Sequence, residues 1–401
     1  MTRTRAVSRA LRVALAAMVA ATLAACAQGG QSAGADDTIK IGALIATTGP
    51  AGSIGVGIEN GIELAVSDVN AAGGVKVGST SYKLAVSHYD TAGDPATGLT
   101  QLTRMVENDD IHFLIGPDTS SVGNAILPFL QQHQQDLPVI VAGAGLGPLT
   151  KVPSVFRMNP TIAEYNKQNI KFQVALGAKR ATIVTDIKHA GEVEATPQTV
   201  ADYQASGIDL ISQETMQTGQ TDFTSMIGKI RAANPDVVFL RMYADEQLLF
   251  VKQARQLGWN IPITGVNATP LDRVGVAIPA AAMTNVYEVS PPTWANLEAD
   301  GSAAAKQAVT EYKGRFNADP GGLTFVGYEA VKALAGSLTQ AGTVDPGKVI
   351  GALQQLKPYA GQLYPLNAQG GVIFGPGHEI SVDFVAAKWE NGKIVDTESV
   401  K

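Results

Sequence analysis

A single cysteine in 401 residues, Cys26, excludes any disulfide within the chain, whatever compartment it works in. The five histidines, at 88, 112, 133, 189 and 378, form no HExxH and no other close pair spaced as metal ligands. The one G-x-S-x-G match, Gly30-Gln31-Ser32-Ala33-Gly34, lies in a Gly/Ser/Gln stretch with no apolar strand before it, so it is not a nucleophile elbow, and no glycine loop is followed by a Walker lysine. Beyond the first thirty residues no apolar run is long enough to cross a membrane. These absences leave nothing to support nucleophilic or metal catalysis, so neither a metal nor a cofactor is expected.

Acidic residues are also missing before Asp36, and that absence frames what is present. Arg3, Arg5, Arg9 and Arg12 form a basic start, and an uncharged run from Val13 to Leu23 follows. This is the pattern of an export signal, too short for a permanent membrane helix. It closes on Leu23-Ala24-Ala25-Cys26, which resembles the bacterial lipobox, in which the cysteine is lipidated and becomes the new N-terminus. Ala27 to Gly34 is a Gly/Ser/Gln stretch without apolar periodicity, read as a flexible tether. The expected arrangement is a lipoprotein signal peptide over 1–25, a tether over 26–37, and an exported protein held to a membrane face through Cys26.

Removing residues 1–25 takes four arginines and no acid, leaving 26 bases against 36 acids in 376 residues, a net charge near −10. Such a surface repels nucleic acid and anionic lipid, so neither is expected as a partner. The length suits two domains with sizeable cores.

Short apolar runs alternate with amphipathic stretches along most of the chain. Strands are expected at Ile39–Ile45, Tyr82–Tyr89, Phe113–Gly116, Val139–Val141, Ala181–Thr185, Val237–Leu240 and Ile261–Thr264. Helices are expected at Ile58–Asn70, Ala96–Glu107, Val122–Gln134, Ala163–Leu176, Phe223–Ala232 and Glu246–Leu257. In the first of these, Ile58, Ile62, Ala65, Val66 and Val69 make one apolar stripe. Nearly continuous apolar strands separated by single helices imply an α/β fold with parallel sheets covered on both faces. A weak repeat supports two lobes: IHFLIGPD and DVVFLRMYADE each run into a helix and then into a strand led by proline, Pro138 or Pro262. In open parallel sheets ligands are expected at the carboxyl ends of the strands, here the loops after Gly116, Val141, Leu240 and Thr264. Gly52-Ser53-Ile54-Gly55-Val56-Gly57 has the order G-x-x-G-x-G, not that of a dinucleotide loop, and is read as a tight strand-to-helix turn with close helix packing.

Several segments in order resemble the type I periplasmic binding protein family, in its branch of branched-chain (hydrophobic) amino acid ABC-transporter binding proteins. They are IKIGALIATTGPAGSIGVGIENGIELAVSDVNAAGGV at 39–75, Asp90 in YDTAGDP, IGPDTSSVGNAILP, NPDVVFL with QARQLGW, and PGGLTFVGYEAVKALAGSL at 320–338. The resemblance spans nearly the whole mature chain. It implies two Rossmann-like lobes, 38–158 plus 287–370 and 159–286 plus 371–401, joined by hinge crossings near 156–160, 284–290 and 366–380. It implies a small ligand between the lobes, membrane permease subunits as partners, and a monomer.

Residue by residue, the resemblance implies that Ser120 and Ser121, with the backbone at Ala144 and Gly145, hold a ligand carboxylate, and that Tyr243 lines the pocket. Ser120 also stands where a helix begins, a place that favours anions, with simple helix capping by Ser120 or Ser121 as the alternative. Arg241 ends a strand and is read either as a ligand contact or as a solvated rim charge. Three positions depart from the family: Ala190 replaces an aromatic, Gly145 a hydroxyl-bearing residue, and Asn267 the acid that pairs with a ligand ammonium. The expected solute is therefore amino acid-like, an amide, a urea-like molecule or a carboxylate, and not a plain branched-chain amino acid. The positions of the family's usual first-lobe disulfide are Gly93 and Thr119 here, consistent with the single cysteine. A ligand sensor of the same fold and an exported α/β enzyme are the alternatives to a transport protein.

Overall fold

The computed structural model describes residues 38–266, 278–364, 366–367, 371–391 and 393–400. Cys26, the signal, the tether and Asn267 therefore lie outside the described residues.

Two sheets organise the chain. The first has the order β2-β3-β1-β4-β5-β6, from Val75–Val77, Thr80–Asp90, Thr38–Ile45, Leu114–Ile115, Val139–Val141 and Val155–Arg157. The second has the order β13-β12-β11-β10-β9-β7-β8, from Lys393–Ser399, Val385–Glu390, Val286–Ser290, Ile263–Val266, Val237–Arg241, Arg180–Asp186 and Asp209–Met216. Strands β1, β4, β5 and β6 run parallel, as do β11, β10, β9, β7 and β8; β12 and β13 add an antiparallel edge.

The strands are apolar along their length because both faces are covered. On β1, Ile39, Ile41, Ala43 and Ile45 join one core while Leu44 joins the opposite one. On β9, Val238 and Leu240 face one core and Val237 and Phe239 the other. This is the period of two of a strand expressed twice, once for each face. Pro138 and Pro262 lead their strands as expected: each lacks an N–H, but its carbonyl accepts from the neighbouring strand, from Leu114 and Val238 respectively.

Chain crossings between the sheets follow β6, follow Ser290 at the end of β11, and precede β12. The first and third run side by side, where Arg157 pairs in parallel with Glu379. Arg157 is fully buried there, and its guanidinium donates to Leu146 O at 2.8 Å and to Thr150 Oγ1 at 3.0 Å.

The glycine-rich turn opens helix α1, Gly52–Ala71, and its glycines are packing positions, as expected. A Cβ at Gly55 would stand 1.8 Å from Ala46 O, and one at Gly61 would stand 1.9 Å from Thr324 O on the neighbouring helix. Gly61→Ala is expected to push these helices apart and to cost about 1–3 kcal/mol. Urea unfolding followed by circular dichroism checks this; an unchanged midpoint would refute the close-packing account.

Candidate functional site

The parallel strands deliver their carboxyl ends, and so the starts of the helices that follow, to one region between the sheets. Ala51 leads into α1; Thr119 caps α3, Ser120–Gln132; Ile162 starts α4, Ile162–Ala175; His189 caps α5, Ala190–Ser206; Tyr243 caps α7, Ala244–Gln256; and Leu323 caps α10, Thr324–Ala341 (α2, α6, α8 and α9 are Pro95–Glu107, Thr224–Ala233, Trp294–Asp300 and Ala303–Phe316). All six of these residues line one cavity, together with Ile54, Asp118, Ser120, Gly143, Glu192, Met242 and Ala244. Its volume is about 40 Å³. Small-molecule pockets usually span roughly 300–1,000 Å³, so the walls here are drawn together.

Direct contacts join the two walls. Ser121 Oγ donates to Lys188 O at 2.9 Å and accepts from Ala190 N–H at 3.4 Å. Tyr243 lines the cavity beside these contacts. The Tyr243 ring in turn packs on His189 with centroids 4.7 Å apart. Burial holds the Tyr243 hydroxyl well above its ordinary range, and the nearby carboxylates of Asp118, Asp186 and Glu246 push the same way. Burial also keeps His189 below its usual value, favouring the neutral imidazole.

Ser120, Ser121 and Tyr243 are thus brought together. Ser120 is buried in the wall and Ser121 bridges to the opposite one. Neither is a helix cap: Thr119 holds that position, and its hydroxyl makes no capping bond. The other two first-lobe positions stand back. Ala144 is fully buried in a hydrophobic cluster and its N–H donates to Pro117 O at 3.3 Å, while Gly145 O accepts from Ile162 N–H at 3.0 Å. A Cβ at Gly145 would meet Ile162 at 2.7 Å, which explains why no hydroxyl-bearing side chain stands there. Between them and the cavity lies Gly143, at φ +125°, where a Cβ would stand 2.7 Å from Asp118 O.

Arg241 is not a solvated rim charge. It is fully buried, and its Nε donates to Glu192 Oε2 at 2.8 Å. Nη1 donates to Thr185 Oγ1 at 3.0 Å and Thr196 Oγ1 at 3.1 Å, and Nη2 donates to Glu192 O at 2.6 Å. The guanidinium ties strand β9 to the start of α5 beneath the cavity. Asp186, at the end of β7, is similarly occupied by the N–H groups of Lys188 and Thr218 and by the Thr218 hydroxyl.

Two lining residues, Asp118 and Glu192, were not singled out in the sequence. Asp118 is 7% exposed; its Oδ1 accepts from Ala46 N–H at 3.1 Å, and Oδ2 has no hydrogen-bond partner. Burial raises its carboxyl to about 7, an effect tempered by the N–H groups of Ala46, Asp118 and Thr119. The available signal was an acid in the loop between an apolar strand and the helix of Ser120, in IGPDTSS. Among the described residues no group of three His, Cys, Asp or Glu side chains is arranged to hold a metal ion.

Comparison with known proteins agrees with this geometry. The family described as periplasmic binding protein matches residues 38–393. A Leu/Ile/Val-binding protein, BraC3, of Rhizobium johnstonii is 28% identical over 374 residues, covering 90% of this chain and 94% of its own. A Leu/Ile/Val-binding protein homolog of Brucella melitensis is 25% identical over 376 residues, covering 90% and 94%. Among solved structures, the substrate-binding protein LivJ of Streptococcus pneumoniae in complex with isoleucine superposes with a TM-score of 0.78 at 24% identity, covering 91% of this chain and 99% of LivJ. A solute-binding protein of an ABC transporter from R. palustris in complex with benzoate gives 0.77 at 20% identity, covering 90% and 95%.

Proposed function

Since this chain belongs to the periplasmic binding protein family, we propose that it works as the extracytoplasmic substrate-binding lipoprotein of an ABC uptake transporter. The family is one of solute-binding transport proteins, and the chain is a binder rather than an enzyme. Cys26 carries the lipid, the tether lets the two lobes reach the membrane, and permease subunits receive the solute.

The observation that carries this reading is the cavity itself, built from six helix starts of two sheets and bridged by Ser121. Such a site admits a solute only when the walls part, and a solute that touches both walls favours their closure. Ser120, Ser121 and Tyr243 contact the solute; Arg241 holds the second wall; Ala144 and Gly145 shape the first from behind. At position 267 the sequence has Asn where the family has an acid.

The solute is a small amino acid-like, amide or carboxylate molecule and not a plain branched-chain amino acid. Losing a buried charge-assisted hydrogen bond at position 267 weakens binding of an α-ammonium there by roughly 1.5–3 kcal/mol, or one to two decades. Calorimetric titration with leucine, isoleucine and valine tests this. Binding weaker than micromolar is expected for all three; micromolar or tighter binding by any of them overturns it.

A further inference from the structure

Resting on the reading of this cavity as a solute site, we propose that the solute presents a positively charged nitrogen to Asp118 of the first wall. Asp118 Oδ2 is enclosed and has no hydrogen-bond partner, and the same is true of Thr119 Oγ1 beside it. Both residues line the cavity. An ionised carboxylate accepts hydrogen bonds and cannot donate them, so whatever satisfies Oδ2 must be a donor. A buried carboxylate without a partner is costly, and a cation is the group that relieves the most of that cost.

Among the described residues no lysine or arginine lines the cavity to supply this cation. The buried guanidinium below it, Arg241, is committed to Glu192, Thr185 and Thr196. The helix starts do not supply it either. Helices α5 and α7 carry acids in their own first turns, Glu192 on one and Asp245 and Glu246 on the other. The starts of α1, α3 and α10 have none, and that of α3 tempers Asp118. A helix end is equivalent to roughly half a charge, however, and it places no donor on Oδ2.

An ammonium suits these residues because it brings three N–H groups, and two unpartnered oxygens on consecutive residues, Asp118 Oδ2 and Thr119 Oγ1, can accept them. A solute carboxylate in the same place would meet like charge. The raised hydroxyl of Tyr243, which responds to Asp118 across the cavity, is consistent with a negative local field. The cation-binding acid thus stands on the first wall, two residues before Ser120, in a chain that has Asn at position 267.

The test holds the apolar part of the probe constant and varies its charge. Thermal shift and calorimetry at pH 7 compare L-leucinamide and isoamylamine, which are mainly cationic there, with zwitterionic leucine and anionic 4-methylvalerate, on the mature wild-type protein and on Asp118→Asn. The cationic probes are expected to bind the wild type better than leucine, and 4-methylvalerate least well. Asp118→Asn retains an acceptor for Ala46 N–H and is expected to fold, as circular dichroism will show. It should weaken leucinamide binding by about ten- to a hundredfold and leave 4-methylvalerate unchanged or improved. Preference for 4-methylvalerate in the wild type, an unchanged charge preference in Asp118→Asn, or no response to either cationic probe at millimolar concentration overturns the assignment. The solute-binding reading is judged separately, by whether a small molecule co-purifies with the wild-type protein in native mass spectrometry.

Discussion

Glu192→Ala is expected to destabilise the protein by about 3–5 kcal/mol, because it leaves the guanidinium of Arg241 buried without its charge partner. Arg241 is fully buried and Glu192 is 2% exposed, so water cannot take over the missing interaction. The Arg241 Nη2 bond to Glu192 O survives, since it uses backbone, as do the bonds to Thr185 and Thr196. What disappears is the charged contact of Arg241 Nε with Glu192 Oε2 and, with it, one of the two acceptors of Asn166 Nδ2, the other being Thr199 Oγ1. Arg241→Met combined with Glu192→Leu should recover more than half of the loss, because removing both charges of a buried pair is far milder than removing one. Urea unfolding of the wild type, both single variants and the double variant measures the coupling directly. A loss below about 1 kcal/mol in Glu192→Ala would mean that the pair contributes no more than a surface ion pair does.

The second large effect is a fall in stability between about pH 4 and pH 7. Asp118 and Glu329 are buried carboxyls, both raised by burial to about 7 from 3.8 and 4.5 respectively. In Glu329 the rise is tempered by the Tyr359 hydroxyl and the Leu363 N–H, which donate to the carboxylate. Asp118 is pushed further up by Asp90. A carboxyl whose folded value lies above its unfolded one contributes its full stability below the unfolded value. That contribution is lost as pH rises through the folded value, because the unfolded chain releases its proton first. For Asp118, a rise from 3.8 to about 7 is worth about 4 kcal/mol across that window. Asp118→Asn should therefore be more stable than the wild type at pH 8 and should lose that advantage near pH 4; Glu329→Gln should behave alike with a smaller amplitude. Unfolding free energies at pH 4, 5, 6, 7 and 8 check this. A difference between variant and wild type that stays flat with pH would contradict it.

The parts of the fold that were legible share one feature: the residue pattern and the local structure have the same period. The β1 sequence and the α1 stripe of Ile58, Ile62, Ala65, Val66 and Val69 are each consistent with one periodicity only. Helix α5 was not legible, because its run AGEVEATPQTVADYQAS has weak apolar periodicity and contains Pro197. Strand β8, DLISQETM, was missed because it lies at a sheet edge and alternates partly exposed residues, without an apolar run. The antiparallel pair β12 and β13 joins the second sheet only through long-range pairing with β11, which no local pattern announces.

The same division runs through the site. Sequence alone determined that the chain is α/β and that Ser120 stands at a helix start. These follow from composition, period and local order, which are properties of neighbours in the chain. Only the tertiary structure decided which polar groups are free. Arg241 read in the sequence as a ligand contact or a solvated rim charge, yet partners distant in sequence occupy it, as they do Asp186. Asp118 was not singled out in the sequence, yet the fold gives Ala46 N–H to one of its oxygens and encloses the other without a partner. The physical reason is that a charge's role depends on what surrounds it after burial, and burial joins residues that the sequence holds far apart.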